Sequence, residues 1–167
     1  SLGSSTDFGD LTEARQLASA TSNGSRGVFA GGRDPGARVD TIDYITISIL
    51  VATATDFGNL TVAQTGPGAA SDGSRGVFMG GSTPPTLTVI DYINIGTLGN
   101  ASDLGDITQA RQSENANSDG SRGVCGGGDT PPNVNTIDYV AIGVIGNASD
   151  FGDLSLTRRH IGSTSGA

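Results

Sequence analysis

The sequence predicts an all-β protein made of three full copies of one repeat of about 47 residues, with partial copies at both ends. Two observations lead to this prediction. The stretch SDGSRGVFMGG at residues 71–81 has near copies at residues 22–32 and 118–128, and a second motif around the letters DFG recurs in the same order. Between these landmarks, short runs rich in β-branched and aromatic residues are bounded by Gly, Pro, Asn and Asp, a pattern typical of strands joined by turns.

The repeat keeps its phase along the chain. The motif around DFG begins at Thr6, Thr55, Ser102 and Ser149, so its spacings are 49, 47 and 47 residues. The tripeptide IDY recurs with spacings of 48 and 47 residues. Constant spacing of this kind predicts a repeat architecture in which each unit folds in the same way.

Each unit is predicted to contain four strands in an antiparallel meander. The dipeptide Asn23-Gly24 predicts a type I′ turn between the first two strands, and Asp72-Gly73 and Asp119-Gly120 predict the same turn in the next units. The second strand, RGVF in the first two units, ends at a Gly pair, and the loop after it contains Pro and Gly residues that do not continue a ladder. The third strand carries IDY, and the fourth surrounds DFGDL.

The order of these motifs resembles the kelch repeat, in which an aromatic-containing strand ends in a double glycine, a Tyr lies on the next strand and an Arg follows the fourth. The double glycine is Gly31-Gly32, Gly80-Gly81 and Gly127-Gly128, the tyrosine is Tyr44, Tyr92 and Tyr139, and the arginine is Arg15, Arg111 and Arg158. Gln64 replaces the arginine once, and the family's usual Trp is absent. In its repeated DFGDLT-like motif and its lack of Lys, the chain also resembles kelch-like virion structural proteins of marine cyanophages.

The resemblance implies a β-propeller with one blade per unit. A four-stranded sheet cannot bury both faces alone, whereas blades stacked face to face bury a continuous core, and the Gly pairs allow neighbouring backbones to approach closely. The chain then divides into the last strand of a preceding blade (1–14), three blades (15–63, 64–110 and 111–158) and the first strand of a following blade (159–167). Because a closed propeller typically has about four to eight blades, we expect further blades of a longer chain, or else further copies, to complete the structure.

The charge balance excludes two classes of partner. The chain has 17 acidic residues against nine basic ones, and its formal net charge is −8. Nucleic acids and anionic membranes both require basic patches, so we expect neither as a partner. The apolar runs are also shorter than the roughly 18 residues that a membrane span needs.

The residues also predict no enzyme. His160 is the only histidine, its counterparts in the other units are different residues, and we expect it to lie at the surface rather than to act as a catalytic base. Without Lys there is no P-loop for phosphate. Cys125 occupies a position that is Phe in the other two units, which favours a small buried residue over a reactive thiol.

Aspartates spaced i, i+3 around a Gly, such as Asp103 and Asp106, recur in the units. Their oxygens are of the kind that Ca²⁺ binds, but Ca²⁺ needs about six to eight oxygen ligands, and the spacing of an EF-hand loop is absent. We therefore expect no cofactor or metal, and we assign these residues to turns in which the side chain bonds its own backbone.

Charges that recur at one place in every unit are expected to be structural. They are Arg26, Arg75 and Arg122 in SRG, and Asp43, Asp91 and Asp138 in IDY. We predict that each Arg either pairs with one of these Asp residues or bonds a carbonyl group.

Function in a repeat scaffold is expected where the units differ. The loop between the second and third strands varies most, and its candidate binding residues are Arg33, Asp34, Arg38, Thr83, Pro84, Pro85, Asp129, Thr130, Pro131 and Pro132. In a meander these loops lie at the same edge as the connections between units, so this edge is the predicted surface for recognising a protein or a glycan.

We therefore expect a non-enzymatic structural or adhesion module on a virion, as in a phage tail or fibre, or on a cell surface. Its location would be virion or extracellular. Two alternatives stay open: an intracellular kelch-type protein–protein interaction domain, and part of a secreted propeller lectin or enzyme whose active residues lie on further blades.

Overall fold

The computed structural model describes residues 7–49 and 53–162 and contains three four-stranded antiparallel sheets, with no helix among those residues. Sheet 1 consists of β1 (Ser19–Ser22), β2 (Arg26–Ala30), β3 (Thr41–Thr46) and β4 (Thr55–Asn59). Sheet 2 consists of β5 (Gly68–Ser71), β6 (Arg75–Met79), β7 (Val89–Asn94) and β8 (Ser102–Asp106). Sheet 3 consists of β9 (Asn115–Ser118), β10 (Arg122–Gly126), β11 (Thr136–Ala141) and β12 (Ser149–Asp153). Each sheet follows chain order, so the predicted all-β meander is confirmed.

The hairpins that open each sheet form as predicted, but the predicted turn type is wrong. A type I′ turn needs positive φ at both Asn23 and Gly24, and of the two only Gly24 has it, at 83°. Asn23 Oδ1 instead accepts hydrogen bonds from the N–H groups of Ser25 and Arg26 at 3.0 and 2.8 Å. The corresponding aspartates do the same in the other two sheets. The side chain that precedes the glycine therefore sets the turn.

A β-bulge occurs at the same place in all three sheets. The register between the third and fourth strands shifts just before the Asp of IDY, for example between Ile42 and Asp43. The unpaired residue on the fourth strand is Phe57, and it is Leu104 or Phe151 in the other sheets. Bulges re-aim side chains, and here the bulge places a large apolar residue beside a buried aspartate.

The three sheets stack face to face, with their first strands adjacent. We call the side that carries Val28 and Phe57 the forward face of sheet 1, and the side of sheet 2 that carries Phe78 and Ile95 its rear face. These two faces enclose one core cluster. The forward face of sheet 2 and the rear face of sheet 3 enclose the other, which contains Cys125.

Backbone hydrogen bonds join each sheet to the next along its outer edge. Gly99 N–H donates to Phe57 O at 2.9 Å, and Ala101 N–H donates to Asn59 O at 2.8 Å. The same links recur between sheets 2 and 3. Before sheet 1, Ala54 N–H donates to Asp10 O at 2.8 Å. The segment 7–15 therefore lies against sheet 1 in the same way that β4 and the residues that follow it lie against sheet 2.

The glycine pairs lie where backbones approach closely, as expected. Gly31 and Gly32 have φ of 63° and 114°. A Cβ added to Gly31 would lie 2.8 Å from Gln64 O, and one added to Gly32 would lie 2.8 Å from Gln16 O. Only glycine combines this backbone conformation with this contact distance.

Candidate interaction surfaces

The variable loops lie beside the connections between units, where the meander predicts them. Thr65 and Ser82 exchange backbone hydrogen bonds of 3.1 and 3.0 Å, and Gln112 and Asp129 exchange bonds of 3.0 and 2.8 Å. We call this side of the molecule the loop edge. It combines residues 33–40, 82–88 and 129–135 with the segments that link one unit to the next.

The loop of sheet 1 is held by its own charged residues. Asp34 Oδ1 accepts hydrogen bonds from the backbone N–H groups of Ala37 and Gly36, and these bonds lower the pKa of its carboxyl group. Arg38 Nε donates to Ser82 O at 3.0 Å and so ties this loop to sheet 2. Arg33 is exposed and borders a cavity of about 230 Å³ shared with Pro35. Of the three predicted binding residues here, Arg33 is exposed, and Asp34 and Arg38 are half-buried.

The other two loops differ in what they expose. Pro84 and Pro85 are exposed and Thr83 is half-buried. In the third loop, Pro131 and Pro132 are exposed and Thr130 is half-buried. Asp129, in contrast, is buried and pairs with Arg159. The exposed parts of the loop edge are therefore prolines and Arg33, while Arg38 and Asp129 hold loops in place.

Two of the three recurring arginines of SRG bond carbonyl groups of the next sheet, and the third, Arg122, pairs with Asp119 of its own hairpin. Arg26 Nη1 donates to Ile95 O in the next sheet at 3.0 Å, and Arg75 Nη1 donates to Ile142 O at 3.2 Å. Each guanidinium also lies over the tyrosine of its own sheet, at 4.8 Å from the Tyr44 ring centre in sheet 1. Of the two predicted roles, the structure contains the carbonyl bond, and the alternative of a pair with Asp43, Asp91 or Asp138 is wrong.

The aspartates of IDY bind residues that follow the fourth strand of the preceding unit. Thr108 Oγ1 and N–H donate to the two carboxylate oxygens of Asp138 at 2.5 and 3.2 Å. Arg111 Nη1 adds an ion pair with Asp138 at 2.8 Å, and both of these side chains are fully buried. The segment before sheet 1 repeats the arrangement with Thr12, Arg15 and Asp43.

Sheet 2 keeps the threonine contact and lacks the cation. Thr61 donates to Asp91 at 2.6 and 3.0 Å, but the position of the arginine is Gln64, whose side-chain oxygen and nitrogen have no hydrogen-bond partner among the described residues. Burial raises the pKa of Asp91, and the hydrogen bonds from Thr61 oppose this shift.

A second buried carboxyl group lies between sheets 2 and 3. Glu114 is 6% exposed, and neither of its carboxyl oxygens has a hydrogen bond of good geometry in the described part of the chain. Burial raises its pKa to about 8, whereas the backbone N–H of Glu114, the charge of Arg111 and the backbone N–H of Gly68 oppose the shift, and Asp129 adds to it. Sequence comparison between units misses this residue, since its counterparts are Ala18, Pro67 and Ile161.

Four segments line a shared concavity at the inner end of the loop edge. Gly66 N–H donates to Leu17 O, Ser113 N–H to Gly66 O and His160 N–H to Ser113 O, at 2.9 to 3.0 Å. All four residues have positive φ between 53° and 63°. The concavity has a volume of about 370 Å³ and also contacts Glu114. The side chain of His160 is exposed there, so what His160 shares with its counterparts is the hydrogen bond of its backbone N–H.

The stack ends in two apolar faces that the described residues cover only in part. Phe151, on the forward face of sheet 3, is 59% exposed, whereas Phe57 and Leu104 at the same position are 3% and 1% exposed. Ile47, on the rear face of sheet 1, is 43% exposed, whereas Ile95 and its counterpart in sheet 3 are fully buried. Both end faces thus carry the residue types that are covered inside the stack.

The remaining candidates for chemistry have structural surroundings. Asp7, Asp56 and Asp150 each accept the predicted hydrogen bond from the backbone N–H two residues later. Asp56 and Asp150 lie within β4 and β12 rather than in turns, however, and Asp106 accepts a bond from Thr88 Oγ1 at 2.6 Å. Among residues 7–49 and 53–162, no three His, Cys, Asp or Glu side chains lie close enough to hold a metal ion. Cys125 is fully buried as expected, and burial raises its thiol pKa to about 12.

The same described ranges contain no helix of the length and apolarity that a membrane crossing requires. No protein-family model matches the chain, and no curated protein matches it either.

Proposed function

We propose that each four-stranded sheet is one blade of a kelch-like β-propeller, and that the chain is a non-enzymatic structural or adhesion module of a virion or a cell surface. Its location would be extracellular or on the virion, and its partners would be further blades of the same repeat together with a protein or glycan ligand.

One observation carries the proposal: recurring polar residues are engaged between sheets, and residues that differ between units are exposed at the loop edge. The side chains of Arg75 and Asp138 both bind groups from a neighbouring unit. The exposed Arg33 has no counterpart of the same chemistry in the other two units, and the exposed proline pair that the second and third loops share is absent from the first. A scaffold that keeps its interfaces and varies its exposed loops is suited to recognition.

The surroundings of the reactive residue types support a non-enzymatic role. The thiol of Cys125 is buried and has a raised pKa, so little thiolate forms near neutral pH. Enzymatic acid–base catalysis commonly relies on a histidine positioned by a partner, and His160 contributes its backbone N–H to the inner concavity.

The proposal is tested by binding to glycan and protein arrays with loop-exchanged variants. Replacing residues 83–88 and 130–135 with residues 34–40 of the first unit, which keeps the buried Ser82 and Asp129, should change or abolish binding while leaving the thermal unfolding temperature close to that of the parent. An Arg122→Ala variant, which leaves all three loops unchanged, is the matched control and should bind as the parent does. Binding that survives exchange of the loops would contradict recognition by the loop edge, and turnover of a bound substrate would contradict the non-enzymatic role.

A further inference from the structure

We propose that the uncovered forward face of sheet 3 binds the rear face of sheet 1 of a second copy of this chain, so that copies associate head to tail. This inference rests on the proposed role as a stack of blades and adds a specific partner and a specific contact.

The apolar surfaces are complementary because the chain already contains the same interface twice. Each covered forward face packs against a rear face: Phe57 contributes to a cluster with Phe78 and Ile95. The two end faces are the remaining members of these pairs, and Phe151 and Ile47 are their exposed residues. Joining them would bury the same residue types in the same arrangement, which is the main favourable term in association.

Among the described residues of one copy, a polar contact at the same place has no aspartate partner. Ser155 and Arg158 occupy the positions of Thr108 and Arg111, which bind Asp138 of the next sheet. Both are exposed, and Arg158 Nη2 contacts Ser155 Oγ at 3.4 Å within its own segment. The aspartate that fits them is Asp43 of a second copy.

Docking requires an exchange of equivalent segments. Asp43 is bound by Thr12 and Arg15 of its own segment 7–15, and this segment corresponds residue by residue to 150–158. In the joined state, residues 150–158 of the first copy take the place of residues 7–15 of the second copy. The residues of the second copy from Gln16 onward then take the place of residues 159–162 of the first copy. The polar contacts of Asp43 are exchanged one for one, and Phe8 of the displaced segment is exchanged for Phe151. The net gain is therefore the burial of the rest of the two end faces, such as Ile47.

Head-to-tail contacts are heterologous, and they produce either a ring or a longer array depending on the rotation between copies. Sedimentation velocity of the 167-residue chain over a range of concentrations should therefore show association. Phe151→Ser should weaken it by about tenfold or more, since an apolar side chain no longer becomes buried. Leu98→Ser is the matched control because Leu98 is 52% exposed on sheet 2, whose faces are both covered, and it should leave association unchanged.

A second variant tests the exchange itself. Arg15→Ala weakens the hold of the chain's own segment on Asp43 and should strengthen association by about fivefold, since Arg158 of another copy restores the ion pair. If Arg15 were only structural, the variant would lower thermal stability without increasing association.

A chain that stays monomeric at all concentrations, or equal effects of Phe151→Ser and Leu98→Ser, would overturn the inference. Ligand binding by a monomeric chain that is lost on loop exchange would overturn this inference and leave the proposed function intact. Association of a chain that binds no ligand would support this inference and contradict the proposed recognition role.

Discussion

The interface between sheets 1 and 2 and the interface between sheets 2 and 3 share the same backbone links and the same Thr–Asp contact, but they fill the space around it differently. The first combines Gln64 with Phe78, and the second combines Arg111 with Cys125, whose Sγ lies 3.2 Å from Nη2 of the arginine. Arg15 and Phe29 occur together only at sheet 1, where the rear face is open and Phe29 is half-buried. The comparison indicates that a covered interface has room beside the Thr–Asp contact for either an arginine or a phenylalanine ring, but not for both.

The largest expected difference between the interfaces comes from removing the aspartate charge. Asp138→Asn leaves the buried guanidinium of Arg111 without its carboxylate, and breaking a buried pair in this way costs about 3–5 kcal/mol. Asp91→Asn removes a charge that has no cation beside it, and its amide can donate to the Thr61 hydroxyl. The free energy of unfolding should therefore change by less than about 1 kcal/mol. Urea unfolding of both variants at pH 7 checks this, and equal losses would show that Arg111 does not distinguish the interfaces.

Glu114 should make the interface between sheets 2 and 3 sensitive to pH. Its pKa is about 8 in the folded chain and 4.5 as the ordinary value, so the folded state binds more protons between these values, and stability falls as pH rises from 4.5 to 8. Glu114→Gln should remove this part of the slope and raise the unfolding free energy at pH 9 by up to about 4 kcal/mol. Chemical unfolding from pH 4 to 9 checks it, and an unchanged slope would contradict the burial argument.

Exchanging the two pairs of residues tests whether cation and ring exclude each other. Cys125→Phe alone places a ring against Arg111 and should cost about 1–3 kcal/mol as an overpacked core. The double variant with Arg111→Gln reproduces the residues of the other interface and should recover at least about 0.5 kcal/mol beyond additivity. A double-mutant cycle by urea unfolding measures this, and strict additivity would mean that the two residues do not share space.

The smallest effect is expected at the arginine that both interfaces keep. Arg75→Ala loses a bond to Ile142 O and a contact with the Tyr92 ring, together worth about 1–2 kcal/mol. Arg122→Ala is the control because no further sheet among the described residues covers it, and its ion pair with Asp119 is half-exposed, so a change within about 0.5 kcal/mol is expected. If thermal stability is the same in both variants, Arg75 does not bridge the sheets.

Much of the fold was predictable because its signals are local. The strands, hairpins and Gly pairs follow from β-branched residues, from Asn or Asp before Gly, and from backbone positions such as Gly31 that exclude a Cβ. The turn type was not predictable, because Asn23 can either adopt positive φ itself or accept hydrogen bonds from the following N–H groups. The dipeptide Asn-Gly is compatible with both conformations.

The partners of the recurring charges were only partly predictable because they depend on how units stack. Arg26 and Arg15 both recur with the period of the repeat, and sequence spacing alone does not tell which one meets Asp43. The answer depends on the offset between sheets, which places Arg111 and Asp138 together although they are 27 residues apart. Glu114 was missed because it occurs in one unit only. The inner concavity was missed because backbone groups form its repeated bonds, and these leave no common side chain in the sequence.

The inner series of bonds through Leu17, Gly66, Ser113 and His160 has a consequence for how such chains evolve. Because each link is an amide bound to a carbonyl, four unrelated side chains occupy equivalent positions without altering the connection. A gene could gain or lose a 47-residue module by duplication or unequal crossing-over, and the new neighbours would find matching main-chain groups already in register.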